Sequence, residues 1–268
     1  MRLLLSCLAF LLTLASTPVD AGECGTLATT SGNVGYCVSA GVSRDLLYVF
    51  HGAVDASVQA PEKQYAAGVP SLDKAWRKAG LPRPTTIALS WGPIWFLKDD
   101  KFAAFQNEIM PALEARFAQR DGRRLLLGGS MGGFNAYLAW VQAPQLFHRV
   151  AFVCPAFLPV NPFASRLMFL RRAATRLDTV RAYSKVARAH FASAEEWQSY
   201  QPNAMMARLA GRKLPAAYLV HNRGDQLGFT GAPELGAAGQ PVTYEVNDGP
   251  HCHSVATPGL ARFLADPR

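Results

Sequence analysis

The chain has 268 residues, half of them hydrophobic, with 22 glycines and 18 prolines spread along it and a formal charge of +8. That length and apolar content suit one domain with a substantial core and exclude a chain dominated by a low-complexity tract. The charge excess is local: between Pro155 and Lys213, ten Lys or Arg stand against three acids.

Met1-Arg2-Leu3-Leu4-Leu5 opens an apolar run to Leu14 that ends in small residues up to Ala21. This is the layout of a secretory signal peptide, so residues 1–21 are expected to be cleaved and 22–268 to be exported, to the periplasm or the medium. The run is too short to cross a hydrocarbon core of about 30 Å, and no later segment is long and apolar enough to do so. Cleavage removes Cys7 and leaves Cys24, Cys37, Cys154 and Cys252, an even number in a setting where disulfides form. Cys24 and Cys37 flank a Gly/Thr/Ser-rich turn region and are expected to close a short loop, a constraint of roughly 3 kcal/mol by chain entropy. Cys154 and Cys252 each follow an expected strand; a second bridge or two buried thiols both fit.

Short apolar runs bounded by Gly or Asn predict buried strands at Leu46–Phe50, Thr86–Ser90, Arg124–Leu127, Val150–Cys154, Ala217–Val220 and Val242–Val246. Helical spacing falls between them at Phe102–Phe117 and Phe134–Val141, and after them at Leu260–Leu264. This alternation predicts an α/β fold with a mostly parallel central sheet flanked by helices. Residues 155–214 are too long for a plain connection and read as a helical cap inserted in the sheet scaffold. Within the cap, Leu167, Leu170, Ala174, Leu177 and Val180 share one helix face with arginines around it. Ser193 followed by Glu196 then marks a capping box.

The strand ending at Phe50 runs into His51-Gly52-Ala53, a sharp turn where the Ala53 N–H is expected to be an oxyanion donor and His51 a structural histidine bonded to loop backbone. Trp91, Trp95 and Phe96 follow the next strand. Trp91 and Trp95 read either as walls of an apolar substrate pocket or as packing beneath a loop.

The sharpest signal is Gly128-Gly129-Ser130-Met131-Gly132-Gly133 between a strand and a helix, a G-x-S-x-G turn in its required setting. Side chains two positions either side of the serine would collide with neighbouring backbone, and the strained turn lifts the Ser130 hydroxyl off the sheet edge. Met131 follows at a helix start, so its N–H is the other expected oxyanion donor. A serine hydroxyl needs a base, and the base an orienting acid, in the chain order Ser, Asp or Glu, His. Asp225 in the turn after Ala217–Val220 takes the acid's place. Of the two histidines in Gly249-Pro250-His251-Cys252-His253, His251 is the chosen base and His253 the alternative. No zinc spacing is formed by the histidines and cysteines, and the chemistry calls for no metal or organic cofactor.

The His-Gly turn, the elbow at Ser130, Gly224-Asp225 and Gly249-Pro250-His251 resemble the α/β-hydrolase superfamily over nearly the whole mature chain. They are most similar to exported esterases such as feruloyl esterases, polyhydroxybutyrate depolymerases and esterase D-like enzymes. The resemblance implies a serine carboxylic-ester hydrolase working through an acyl-enzyme on a small or polymer-linked ester. In some tannase and feruloyl esterase relatives the cysteine after the base histidine bridges to one directly before the serine. Gly129 holds that place here, so a bridge from Cys252 would use Cys154. Acyl transfer to a sugar or lipid acceptor, or ligand binding without catalysis, fits the same scaffold. The cationic cap suits anionic substrates or an anionic membrane or lipopolysaccharide surface, and a solvated helix face accounts for its arginines equally. No nucleic-acid motif accompanies it.

Overall fold

A computed structural model describes residues 22–66, 68–118, 121–157, 161–164, 177–209, 211–225, 240–253 and 256–268. The expected leader 1–21 with Cys7 lies outside them. The helix face from Leu167 to Val180 and its arginines at 166, 171, 172, 176 and 181 lie outside the described side chains.

Eight strands form one sheet: β1 Cys24–Thr29, β2 Gly32–Ser39, β3 Leu46–Phe50, β4 Thr85–Ser90, β5 Arg124–Gly129, β6 Arg149–Val153, β7 Ala217–Asn222 and β8 Val242–Asn247. Their order is β1-β2-β4-β3-β5-β6-β7-β8. From β4 to β8 all neighbours are parallel, and β2 and β1 add on antiparallel at one edge. Strands β3, β4 and β6 are buried at every position, because helices cover both faces of a parallel sheet. The segment between Cys24 and Cys37, expected as a turn region, is instead a hairpin turning at Thr30-Ser31. Cys24 sits directly opposite Cys37, and the two are disulfide-bonded with Cα atoms 4.1 Å apart.

Alternate residues of the central strands feed two cores. Leu47, Val49, Leu125, Leu127, Val153 and Val220 pack under helices α2 (Val69–Ala79) and α9 (Pro258–Ala265). Tyr48, Phe50, Leu126, Phe152 and Leu219 pack on the other face. There they meet α3 (Asp99–Ala104), a π turn (Phe105–Ile109), α4 (Met110–Phe117) and α5 (Met131–Gln142). Pro111, early in α4, has no N–H to return to the preceding turn, which accounts for the π-helical interruption there. Helix α1 (Pro61–Ala66) precedes α2. All of Met131 to Val141 in α5 is buried, so the helix behind Ser130 has core on every side.

Between β6 and β7 run α6 (Leu177–His190), α7 (Ala194–Ser199) and α8 (Pro202–Arg208). The Ser193 side chain caps α7 by accepting from the Glu196 N–H at 3.1 Å, as the capping box predicts. Phe191 and Trp197 pack edge-on against each other and against Phe96. Lys98, 6 % exposed, reaches the Glu196 carboxylate at 3.0 Å, fastening this helical segment to the start of α3. Among the described residues no helix is long and apolar enough to cross a membrane.

Candidate active site

Ser130 stands between β5 and α5 with φ 53° and ψ −116°, a conformation that L-residues avoid. Its neighbours show why the turn is glycine-rich. A Cβ on Gly128 would lie 1.9 Å from the Gly132 carbonyl oxygen, and one on Gly132 would lie 2.0 Å from that of Phe50. The turn is held by Ser130 N–H donating to the Val153 carbonyl at 2.9 Å and by Ala156 N–H donating to the Ser130 carbonyl at 2.9 Å.

Two further strand ends bring their loops to the serine. After β7, Asp225 N–H donates to the Asn222 carbonyl, forming a tight turn that leaves the Asp225 side chain only 1 % exposed. After β8, residues 248–253 carry His251. These loops are joined to each other: Arg223 N–H donates to the Asn247 carbonyl at 2.8 Å and Gly224 N–H to that of Gly249 at 3.2 Å. The buried Asn222 amide donates to the His253 carbonyl at 2.7 Å. The result is a continuous row in which His251 Nδ1 lies 2.7 Å from Asp225 Oδ2 and His251 Nε2 lies 2.9 Å from Ser130 Oγ. His253 is exposed and takes no part in the row.

Cys154, just past β6, is bridged to Cys252 with Cα atoms 5.3 Å apart, so of the two fates open to these cysteines the disulfide is the one formed. The bridge ties the residue after His251 to the strand beside the nucleophile turn. Among the described residues Cys154, His251 and Cys252 are the one grouping close enough to hold a metal, but both sulfurs are consumed in the bridge.

Gly52 packs against the serine, its Cβ position being 3.2 Å from Ser130 Cβ. Among the described residues neither the Ala53 N–H nor the Met131 N–H, at the first position of α5, has a bonded acceptor. His51 is 2 % exposed, and burial holds its pKa below the ordinary value. Its Nδ1 lies 2.6 Å from the Gly52 carbonyl and its Nε2 accepts from Trp95 Nε1–H at 3.0 Å, which makes Nδ1 the protonated nitrogen and His51 structural, as expected.

The two tryptophans lie in the loop after β4. Trp95 is 1 % exposed, packed edge-on against Phe50 and bonded to His51. Trp91 leans on Trp95 with centroids 4.8 Å apart and donates to Ser31 at the hairpin tip. The loop after β4 folds inward over the core, and neither ring lines the cavity beside Ser130. The cavity that opens beside Ser130, about 350 Å³, is lined instead by residues of α1, α2 and α9. Helices α1 and α2 were not read from the sequence, so Tyr65 and Leu72 were missed, and Leu260 was read as the start of the last helix but not as a cavity wall.

Parallel sheet, strand–turn–helix serine and converging loops together define an α/β-hydrolase. The family model described as "Putative esterase" matches residues 99–235, more than half of the chain and including Ser130 and Asp225, and the chain belongs to that esterase family. It is a carboxylesterase-like hydrolase of carboxylic esters. Among solved structures it is similar to a ferulic acid esterase at 16% identity and a TM-score of 0.59, over 90% of this chain and 95% of that one. It is also similar to carboxyl esterase 2 from the fungus Tuber melanosporum at 15% identity and a TM-score of 0.65, over 90% and 81%. A third likeness is to brefeldin A esterase, a bacterial homologue of human hormone-sensitive lipase, at 16% identity and 0.63, over 94% and 77%. No curated protein matches by sequence.

Proposed function

We propose that the protein is an exported serine esterase in which Ser130 is the nucleophile, His251 the general base and Asp225 the acid that orients it. The observation that carries this is the unbroken row of 2.7 Å and 2.9 Å contacts ending on a buried carboxylate. Asp225 accepts from Nδ1–H, which leaves the Nε2 lone pair to take the proton of the Ser130 hydroxyl. Oγ attacks the ester carbon, and the oxyanion takes the free N–H groups of Ala53 and Met131, each such donor being worth about 3 to 4 kcal/mol at the transition state. His251 hands its proton to the leaving alcohol. Water, activated by the same imidazole, then hydrolyses the acyl-enzyme and restores Ser130. Export is supported by the two disulfides, which persist in oxidising compartments. The cap reading of residues 155–214 is supported by their insertion between the two strands whose exits carry Cys154 and Asp225. Exposed Lys185, Arg208, Arg212 and Lys213 would present the cap's charge to anionic substrates or surfaces.

The test is labelling with a fluorophosphonate probe, with the adduct mapped by mass spectrometry. The adduct is expected on Ser130, and Ser130→Ala is expected to lose labelling and to lower kcat on p-nitrophenyl esters by about a millionfold. An adduct on another residue, or an active Ser130→Ala enzyme, would refute the assignment.

A further inference from the structure

The cavity of about 350 Å³ beside Ser130 runs from Gly52 and Gly129 into the core beneath α2 and α9. Leu72, Leu127, Val153 and Leu260, all buried and all apolar, form part of its wall. Gln64 and Ser71 are exposed at its rim, whereas burial raises the pKa of the Tyr65 phenol. Tyr65 stands over the nucleophile turn, its hydroxyl 3.4 Å from where a Cβ on Gly129 would be.

We infer that this cavity receives the acyl half of the ester and selects an apolar chain of medium length. The inference rests on Ser130 being the nucleophile, and three observations lead from there to the acyl group. The first is order of release. The alcohol must leave while the acyl group is still bonded to Ser130, so the acyl half is held through both chemical steps. The half that stays longest gains most from a fitted apolar wall beside the serine. The second is chemistry: among the described residues the wall is mostly apolar, with Gln64, Tyr65 and Ser71 the polar side chains besides Ser130, so a sugar or a charged acyl group placed there would lose its hydration with little replacement. The third is size. At roughly 30 Å³ for each water-sized group, the space holds about twelve heavy atoms, enough for an octanoyl chain and well short of a palmitoyl one.

The experiment compares kcat/KM for p-nitrophenyl acetate, butyrate, octanoate, laurate and palmitate, beside a second series of acetates with alcohols from methyl to octyl. Fluorophosphonate labelling of each protein is measured in parallel. The expected profile peaks near octanoate, with palmitate at least about tenfold lower, and is nearly flat across the alcohols. Ser71→Trp, at an exposed rim position, is expected to lower the octanoate-to-acetate ratio about tenfold, and Leu72→Ala to move the peak toward laurate. A ratio is read because misfolding lowers both rates together. Intact labelling with a flat acyl profile, with rates that follow the alcohol instead, or with an unchanged ratio in Ser71→Trp overturns the cavity assignment alone. Absence of labelling on Ser130 overturns the nucleophile assignment and this one with it.

Discussion

At the scale of single residues, geometry separates histidines that composition cannot. His251 is bonded at both nitrogens to groups with complementary roles, Asp225 on one side and Ser130 on the other. Replacing the acid should therefore disturb the tautomer more than the fold. Asp225→Asn is expected to lower kcat by about ten-thousandfold with little loss of thermal stability, read from initial rates and a melting curve on the same preparation. His51 is the contrasting case. Burial lowers its pKa from 6.5, so the folded protein takes up the proton less readily than the unfolded chain. The sign follows: the stability tied to neutral His51 is complete above its unfolded value and is lost as pH falls through the folded one. His190 and His221, also lowered mainly by burial, act in the same direction. Melting temperature is expected to fall between about pH 7 and pH 5, and less steeply in His51→Asn.

At the scale of elements, the turn at Ser130 is rigid because backbone fills the space where side chains would be. Gly132→Ala would force a methyl to within 2.0 Å of the Phe50 carbonyl oxygen. It is expected to destabilise by at least about 3 kcal/mol in a urea titration, or to prevent folding. The Cys154–Cys252 bridge acts on a different loop. It closes residues 98 apart in sequence, and a loop of about 100 residues is worth roughly 4.7 kcal/mol in the chain-entropy picture. Cys154→Ser with Cys252→Ser is expected to lower the melting temperature and also to cut kcat by about tenfold or more, because His251 loses its neighbour's anchor.

What was legible in the sequence follows the same physics. Strands β3 to β8 could be read because most are buried on both faces and so spell continuous apolar runs. Strand β1 alternates exposed and half-buried residues, and Pro61, Gly68 and Pro70 stand at the starts of α1 and α2, where they read as loop, so none of these announced itself. Ser130, Asp225 and His251 stood out because each sits in turn chemistry at a strand end. Trp91 and Trp95 stayed open between pocket wall and packing, since sequence does not say which way the loop after β4 folds.

At the scale of the molecule, two cores lie on opposite faces of one sheet and share its central strands. Neither can melt without uncovering the other's backing. A single unfolding transition is therefore expected, with calorimetric and fluorescence curves coinciding, even though Trp76 reports one core and Trp95, Trp140 and Trp197 the other. The C-terminal segment joins this unit: Arg123 donates to the Ala265 and Asp266 carbonyls while pairing with Asp45. Helix α5, enclosed from Met131 to Val141, carries a consequence for how the protein can vary. A helix with one wet side tolerates polar replacements every third or fourth position, and a plot of fitness along it oscillates. Here the plot should be a plateau of intolerance with no such rhythm, and drift in this protein is channelled into its rim.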